Sequence, residues 1–404
     1  MTPPPLDPLL WRTRLQREIR LSPAVLETPL EEAAGAVLGR ELRSERESPA
    51  VPIAAMDGFA VRRSDLTVGR TVLVVSAELP ARPGAVRPHL AGTAARIMTG
   101  ASVPHGADAV IEVEATDADP FGPPPATVTI DLSALPVEGR HIRGPGEEIP
   151  RGRVLASPGD RVGGGLVGLA AMLGMQSLPV LRPLRVAVVV TGDELAGPGT
   201  TDEVPGAVLE SNGVMLAAAL RADGVAARQF LSGDAPECLR EVLDEAAADT
   251  DLVLTTGGIG HGAYDVVKIL LGERGCGTSS FEHLALRPGG PQGAGHLPDG
   301  TPVVHLPGTP VGALVGYHLF VRPLLPGAEA APHSVQLGDS SADTSRLRSG
   351  TVHAMPGRLR RGADGCELVD LLPGRRLAPY GRADAIVLRG AGGTRPGMVQ
   401  VLRL

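Results

Sequence analysis

The stretch Leu252–Leu271, LVLTTGGIGHGAYDVVKILL, runs a short apolar segment into a cluster of glycines, then an aspartate, then a second apolar segment. The apolar run predicts a buried strand at Leu252–Thr255 and the second segment a helix at Tyr264–Leu271, so the glycines form a strand-to-helix turn. A turn without Cβ atoms lets backbone N–H groups approach an anion at the start of the following helix. The same design recurs at VVVTGDEL (Val188–Leu195) and VVHLPGTPVGAL (Val303–Leu314).

Around these three turns the pattern is regular. A strand is expected at Val186–Val190, a helix from Asn212, a strand near Gln229–Leu231 and a helix at Pro236–Ala247. A strand at Val303–His305 and a helix from Val311 to Leu325 follow. Strands alternating with helices at these lengths predict a parallel sheet covered on both faces, with ligands at the carboxyl ends of its strands. Tight turn-making explains any one glycine loop, but three on one edge point to a phosphate-bearing ligand. Neither common nucleotide loop is present, since no GK[ST] follows the cluster and GGIGHG lacks the GxGxxG spacing.

The loops at this edge carry Asp193 and Glu194 after the first strand, Asp234 in LSGDAPE and Asp265 after the glycine cluster. Each aspartate alone reads equally as a helix cap. Together with Glu194 they suit a divalent cation shared with phosphate, because phosphates and carboxylates repel unless a cation lies between them. His261 lies inside the glycine loop, while the other histidines show no metal-ligand spacing and no nucleophile signature appears.

Composition bounds the rest. A chain of 404 residues exceeds one ordinary core, and 53 Gly with 38 Pro imply many turns. A net charge of −7 and 2 % aromatic residues argue against phosphate-neutralising or base-stacking contact with nucleic acid. Lys268 is the only lysine, nearly every other cation being arginine. The 3 cysteines form no CxxC pair, which fits a reducing compartment. No segment approaches about 20 uninterrupted apolar residues, and the amino terminus lacks an apolar signal run, so a cytoplasmic protein without membrane contact is expected.

Outside the α/β region, a short helix is expected around Trp11, and ETPLEEAAGAVLGREL reads as a helix with Thr28 as N-cap, Pro29 next and Glu31 completing a capping box. From about Val51 to Val137 short β-rich runs such as TVLVVSAEL and ATVTIDL dominate. Asp57-Gly58 lies among them in what reads as a hairpin turn, and Thr99-Gly100 reads as a loop or a site. Gly139–Gly174 is glycine-punctuated and ends in a small-residue helix, and the tail beyond EAAPHSVQLGDSS reads as a small β-domain.

Seven motifs, in order, carry a resemblance: AAMDGFAV, IMTGASVPHGADAVIEVE, GEEIPRGRVLASPG, RVAVVVTGDEL, ESNGVML, TTGGIGHGAYDVVK and LPGTPVGALV. They resemble the molybdopterin molybdenumtransferases, the bacterial MoeA and gephyrin E-domain family, over nearly the whole chain. The resemblance implies a multidomain α/β fold in four parts: residues 1–48 with 139–178 as an N-terminal helical and linker domain, and 49–138 as a β-rich module. Residues 179–328 would be a molybdopterin-binding α/β domain of the MoaB/Mog type and 329–404 a terminal β-domain. It implies an elongated homodimer that inserts molybdate into adenylylated molybdopterin with Mg²⁺ and releases AMP. A molybdopterin adenylyltransferase would be the donor and molybdoenzymes the acceptors. The cleft would lie between the α/β domain of one subunit and the MDG-bearing module of the other.

Carried over by motif, Asp57, Thr99, Glu194, Asp234, Asp265 and Arg287 would be the catalytic polar residues, with Glu194, Asp234 and Asp265 also holding the metal. Thr191, Gly192, Ser211, Gly257, Gly258, Pro307, Gly308 and Thr309 would bind the pterin compound. Four positions depart from the family: Gly290 replaces the second lysine of KPGKP, Gly260 a serine, Thr309 an asparagine and Gly374 a serine. The missing lysine leaves open a relative that binds molybdopterin or the finished cofactor as carrier or scaffold. A nucleotide pyrophosphatase on the same α/β domain would not need the MDG module.

Overall fold

The computed structural model describes residues 5–197, 205–260, 265–328, 330–338, 347–363, 365–391, 395 and 397–404. In the α/β region four strands run parallel in the order Ala226–Ser232, Arg185–Thr191, Leu252–Thr256, Pro302–Leu306. Side chains alternate between faces along such a strand. Val186, Val188 and Val190 accordingly enter one apolar cluster, and Ala187 and Val189 the other. The helices Asn212–Ala222 and Pro310–Gly316 contribute to the first, Pro236–Ala247 and Val266–Leu271 to the second.

The sheet is mixed, which corrects the all-parallel expectation. Pro291–His296 joins Pro302–Leu306 antiparallel, and Ser279–His283 pairs antiparallel beyond it. PQGAGH carries none of the β-branched residues by which a strand is recognised; its glycines allow close packing instead, since a Cβ at Gly295 would lie 2.1 Å from Thr278 O. The expected long helix after Val311 also changes form, its regular turns ending at Gly316 before a wider turn over Tyr317–Val321 and a tighter one over Arg322–Leu324.

Residues expected as a helix from Thr28 form no helix. Val25–Pro29 is a strand paired antiparallel with Ser177–Leu181, and the chain then turns through Gly35 at φ +85°. A capping box is worth about 1 kcal/mol, whereas the turn brings Ala33 and Leu38 into a cluster with Val162, Ala170, Leu178 and Val180, where each large side chain contributes about 1.5–3 kcal/mol. Burial outweighs local propensity here. The helix Pro8–Glu18 packs on the α/β region. Capped by Asp7, whose Oδ1 accepts from Leu9 N at 2.7 Å, it inserts Trp11, Leu15 and Ile19 into the α/β core beside Val186 and Phe320.

The β-rich region is a five-stranded sheet in the order Ala109–Glu112, Gly58–Val61, Thr93–Ile97, Gly69–Leu79, Thr127–Leu132. Asp57-Gly58 is not a hairpin turn. The preceding strand Ile53–Ala54 pairs with Ile142–Arg143, and Gly58–Val61 pairs with strands on either side. In the C-terminal region, Val352–Arg361, Glu367–Leu371, His333–Leu337, Met398–Arg403 and Ala385–Arg389 pair each with the next and close back on the first as a barrel. Leu286–Arg287 leaves the α/β region to pair parallel with Val352–His353 of that barrel.

Candidate active site

The four parallel strands end side by side, at Ser232, Thr191, Thr256 and Leu306. Their connecting loops wall a cavity of about 640 Å³. The lining includes Thr191, Gly192, Glu194, Ser211, Asp234, Gly257, Gly258, Asp265, Pro307, Gly308 and Thr309. The topology therefore brings all the α/β candidates together except Arg287. His261 lies outside the described residues.

The glycines are required by close approach. Gly257, at φ +100°, donates its N–H to Leu306 O at 3.2 Å, and a Cβ there would lie 2.7 Å from Thr191 O. A Cβ at Gly308 would come within 3.2 Å of Gly257 Cα. The bare turn thus lets three strand ends meet and leaves the wall as backbone.

The carboxylates do not serve as caps of their own helices. Ala235, not Asp234, is the N-cap of Pro236–Ala247, and Asp265 occupies the N-cap position of Val266–Leu271 without a side-chain cap hydrogen bond. Asp193 and Asp234 instead accept from one another's backbone, Asp234 N to Asp193 Oδ1 at 2.9 Å and Asp193 N to Asp234 Oδ2 at 3.3 Å. Burial raises the pKa of Asp234, and the charges of Asp193 and Glu194 push it further up, against the bond from the Asp193 N–H. Among the described residues lining the cavity there is no lysine or arginine. Oxygen donors gathered with mutual repulsion fit a hard cation. Among the described residues no three His, Cys, Asp or Glu side chains converge into a metal cage.

Asp57 and Thr99 meet elsewhere. The antiparallel register Gly58↔Ile97 sets the residue before one strand beside the loop after the other. Thr99 donates to Asp57 Oδ1 from its hydroxyl at 2.6 Å and from its backbone at 2.7 Å. These bonds, the hydroxyl's first, hold the Asp57 carboxyl below its ordinary range. Both residues are exposed and neither lines the strand-end cavity.

Arg287 is also separate. Recruited to the barrel edge, it lines a cavity of about 210 Å³ with Arg375, His353, Gly374 and Tyr380. Burial lowers the His353 pKa, and Arg375, Arg287 and Arg348 lower it further, while the Arg348 N–H bond opposes them. Sequence reasoning missed Asn212 and Thr256 in the strand-end wall; the signal for Asn212 was its place beside Ser211 in ESNGVML.

Residues 11–174 match the MoeA N-terminal region (domain I and II), and residues 187–327 match a probable molybdopterin binding domain. Molybdopterin molybdenumtransferase 2 of Mycobacterium tuberculosis is 41 % identical over 331 residues, covering 80 % of this chain and 79 % of that protein. The molybdopterin molybdenumtransferase of Haemophilus influenzae is 32 % identical over 299 residues, covering 73 % and 71 %. A crystal structure of the molybdopterin biosynthesis MoeA protein from Pyrococcus horikoshii superposes with a TM-score of 0.79 at 25 % identity, covering 99 % of each chain. Motif order, strand-end cavity and extended identity agree, and the chain belongs to the molybdopterin molybdenumtransferase family.

Proposed function

We propose that this chain inserts molybdate into adenylylated molybdopterin and releases AMP, as the α/β half of a site that a second copy completes. The observation that carries this reading is the strand-end cavity, a glycine wall suited to a phosphate-bearing ligand with Glu194, Asp234 and Asp265 along its side. In this reading Thr191, Gly192, Ser211, Gly257, Gly258, Pro307, Gly308 and Thr309 hold the pterin compound. Glu194, Asp234 and Asp265, which form no closed cage, would each offer an oxygen to an Mg²⁺ that keeps waters, and the ion would supply charge neutralisation at the phosphates. Asp265 and Glu194 orient the water whose attack cleaves the phosphoanhydride into AMP and the phosphate of molybdopterin, while Arg287, outside this cavity at the barrel edge, would offer a guanidinium to an oxyanion there.

Asp57 and Thr99 support the homodimer. A carboxylate kept charged by two short hydrogen bonds, exposed and outside its own chain's cavity, is suited to meet the cavity of a partner. A cytoplasmic setting, an adenylyltransferase as donor and molybdoenzymes as acceptors belong to the same reading. No helix among the described residues is long and apolar enough to cross a membrane.

The test is single-turnover release of AMP from adenylylated molybdopterin with molybdate and Mg²⁺, comparing wild type with Asp265→Ala. Release that needs molybdate and disappears in the variant is the expected result. Binding without release in the wild type would overturn the transferase reading in favour of a carrier.

A further inference from the structure

Asp57 lies in a bend at residues 55–57 between the strands Ile53–Ala54 and Gly58–Val61. The two ends of that bend are anchored to different segments. On one side Ala55 N donates to His141 O at 2.8 Å. On the other, Gly58 pairs with Glu112, so closely that a Cβ at Gly58 would lie 2.0 Å from Ile111 O, and Val113 N donates to Asp57 O at 3.3 Å. The side chains of the two anchors then meet, His141 Nε2 lying 3.2 Å from Glu112 Oε2 while Glu112 Oε1 accepts from Arg140. Glu112 Oε2 is buried and takes no hydrogen bond within the protein, so the imidazole is the group that answers it.

His141 holds φ +54°, a left-handed conformation that glycine adopts freely and a residue with a Cβ adopts at a cost. Among the described residues only Asp249 shares a positive φ without being glycine. The fold demands the conformation at this point. Arg140 O accepts from Val110 N at 2.9 Å and the next carbonyl, His141 O, from Ala55 N, so successive carbonyls must reach two different segments. Glycine would meet that backbone requirement with less strain. Strain of this kind persists where the surroundings offset it, and here the offsetting contact is the one with Glu112.

We infer, on the reading that Asp57 completes the site of a second copy, that His141 is a positioning residue for Asp57. Its ring, set against Glu112, ties the two anchors of the bend together and fixes where the carboxylate is presented. Thr99 holds the carboxylate itself; His141 and Glu112 hold the backbone that carries it. A carboxylate that must meet a cavity on another chain depends on both, because a displacement of about 1 Å is enough to misalign reacting groups.

The experiment is AMP release from adenylylated molybdopterin by the full-length chain, for wild type, His141→Gly and His141→Gln, alongside thermal unfolding of each. Glycine keeps the backbone conformation and removes the ring. His141→Gly is therefore expected to melt at or above the wild-type temperature while kcat falls about tenfold and KM is unchanged. His141→Gln returns an N–H at the reach of Nε2 and should recover most of the wild-type kcat. A His141→Gly variant as fast as wild type, a loss of rate that only tracks a lower melting temperature, or no recovery in His141→Gln would overturn the inference and leave the proposed function standing. No AMP release by wild type would overturn both.

Discussion

The strand-end cavity and the Asp57–Thr99 pair both carry polar groups at the ends of strands, yet one is a cleft walled by several loops and the other an exposed pair. The cavity gathers residues from four strand ends, with backbone and carboxylates beside apolar side chains such as Val190, Leu209 and Ile259. The pair consists of two side chains locked to each other on an exposed edge. Parallel strands with crossover helices deliver several loops to one edge, so a single chain walls a cleft there. The antiparallel pair Gly58–Val61 and Thr93–Ile97 brings only two neighbouring segments together, which orients a carboxylate but walls nothing in.

The largest expected effect tests whether the two are halves of one site. Asp57→Ala and Asp265→Ala should each lower AMP release about 10²-fold or more. Mixing the two variants and allowing subunits to exchange should restore activity to about a quarter of wild type, since half the dimers then hold one intact site. No restoration in a verified mixed dimer would place both residues in service of the same chain.

The cavity should also be the less forgiving region. Gly257→Ala puts a side chain at φ +100° and 2.7 Å from Thr191 O, with an expected cost of about 1–3 kcal/mol by chemical denaturation. An unchanged midpoint would mean the turn has another conformation available. At Gly100, φ +79° with the nearest neighbour 3.9 Å away, alanine should cost only the strain and not the clash.

Acid should separate the regions in turn. His305 is fully buried between Thr255 Oγ1 and Ser279 Oγ, and burial lowers its pKa to about 3. A base with a depressed folded pKa contributes stability above its unfolded value and loses it as pH falls. The α/β region should therefore weaken from about pH 6.5 downward, with a slope of about 1.4 kcal/mol per pH unit at most. Asp57, whose folded pKa is depressed, keeps its contribution until pH falls below the usual aspartate range. Equal acid sensitivity of both regions by hydrogen exchange would refute this contrast. The smallest effect concerns Asp234, raised by burial and by its acidic neighbours. Adding Mg²⁺ should move its carboxyl titration downward in NMR, whereas that of Asp57 should stay in place.

Much of the α/β architecture was legible because its signals are local. The helix Pro236–Ala247 carries its own start signal in a proline at the first position, and Leu252–Thr256 is an apolar run bounded by glycine. The antiparallel Pro291–His296 was invisible because its glycines serve packing against Thr278 and Phe281 rather than strand propensity. The segment after Thr28 misled for the opposite reason: a complete set of helix-start residues was overruled by pairing with Ser177–Leu181, more than a hundred residues away.

By itself the sequence determined the family, the alternation of strands and helices, and the carboxylates and glycines at three strand ends, because periodicity, turn chemistry and motif order are properties of neighbouring residues. The tertiary structure alone decided that Arg287 joins the barrel edge and leaves the cavity, that Asp57 is locked by Thr99, and that Glu112 meets His141 beside it. Each of these depends on which distant strand supplies the next hydrogen bond, and strand register is set by burial across the whole sheet rather than by local propensity.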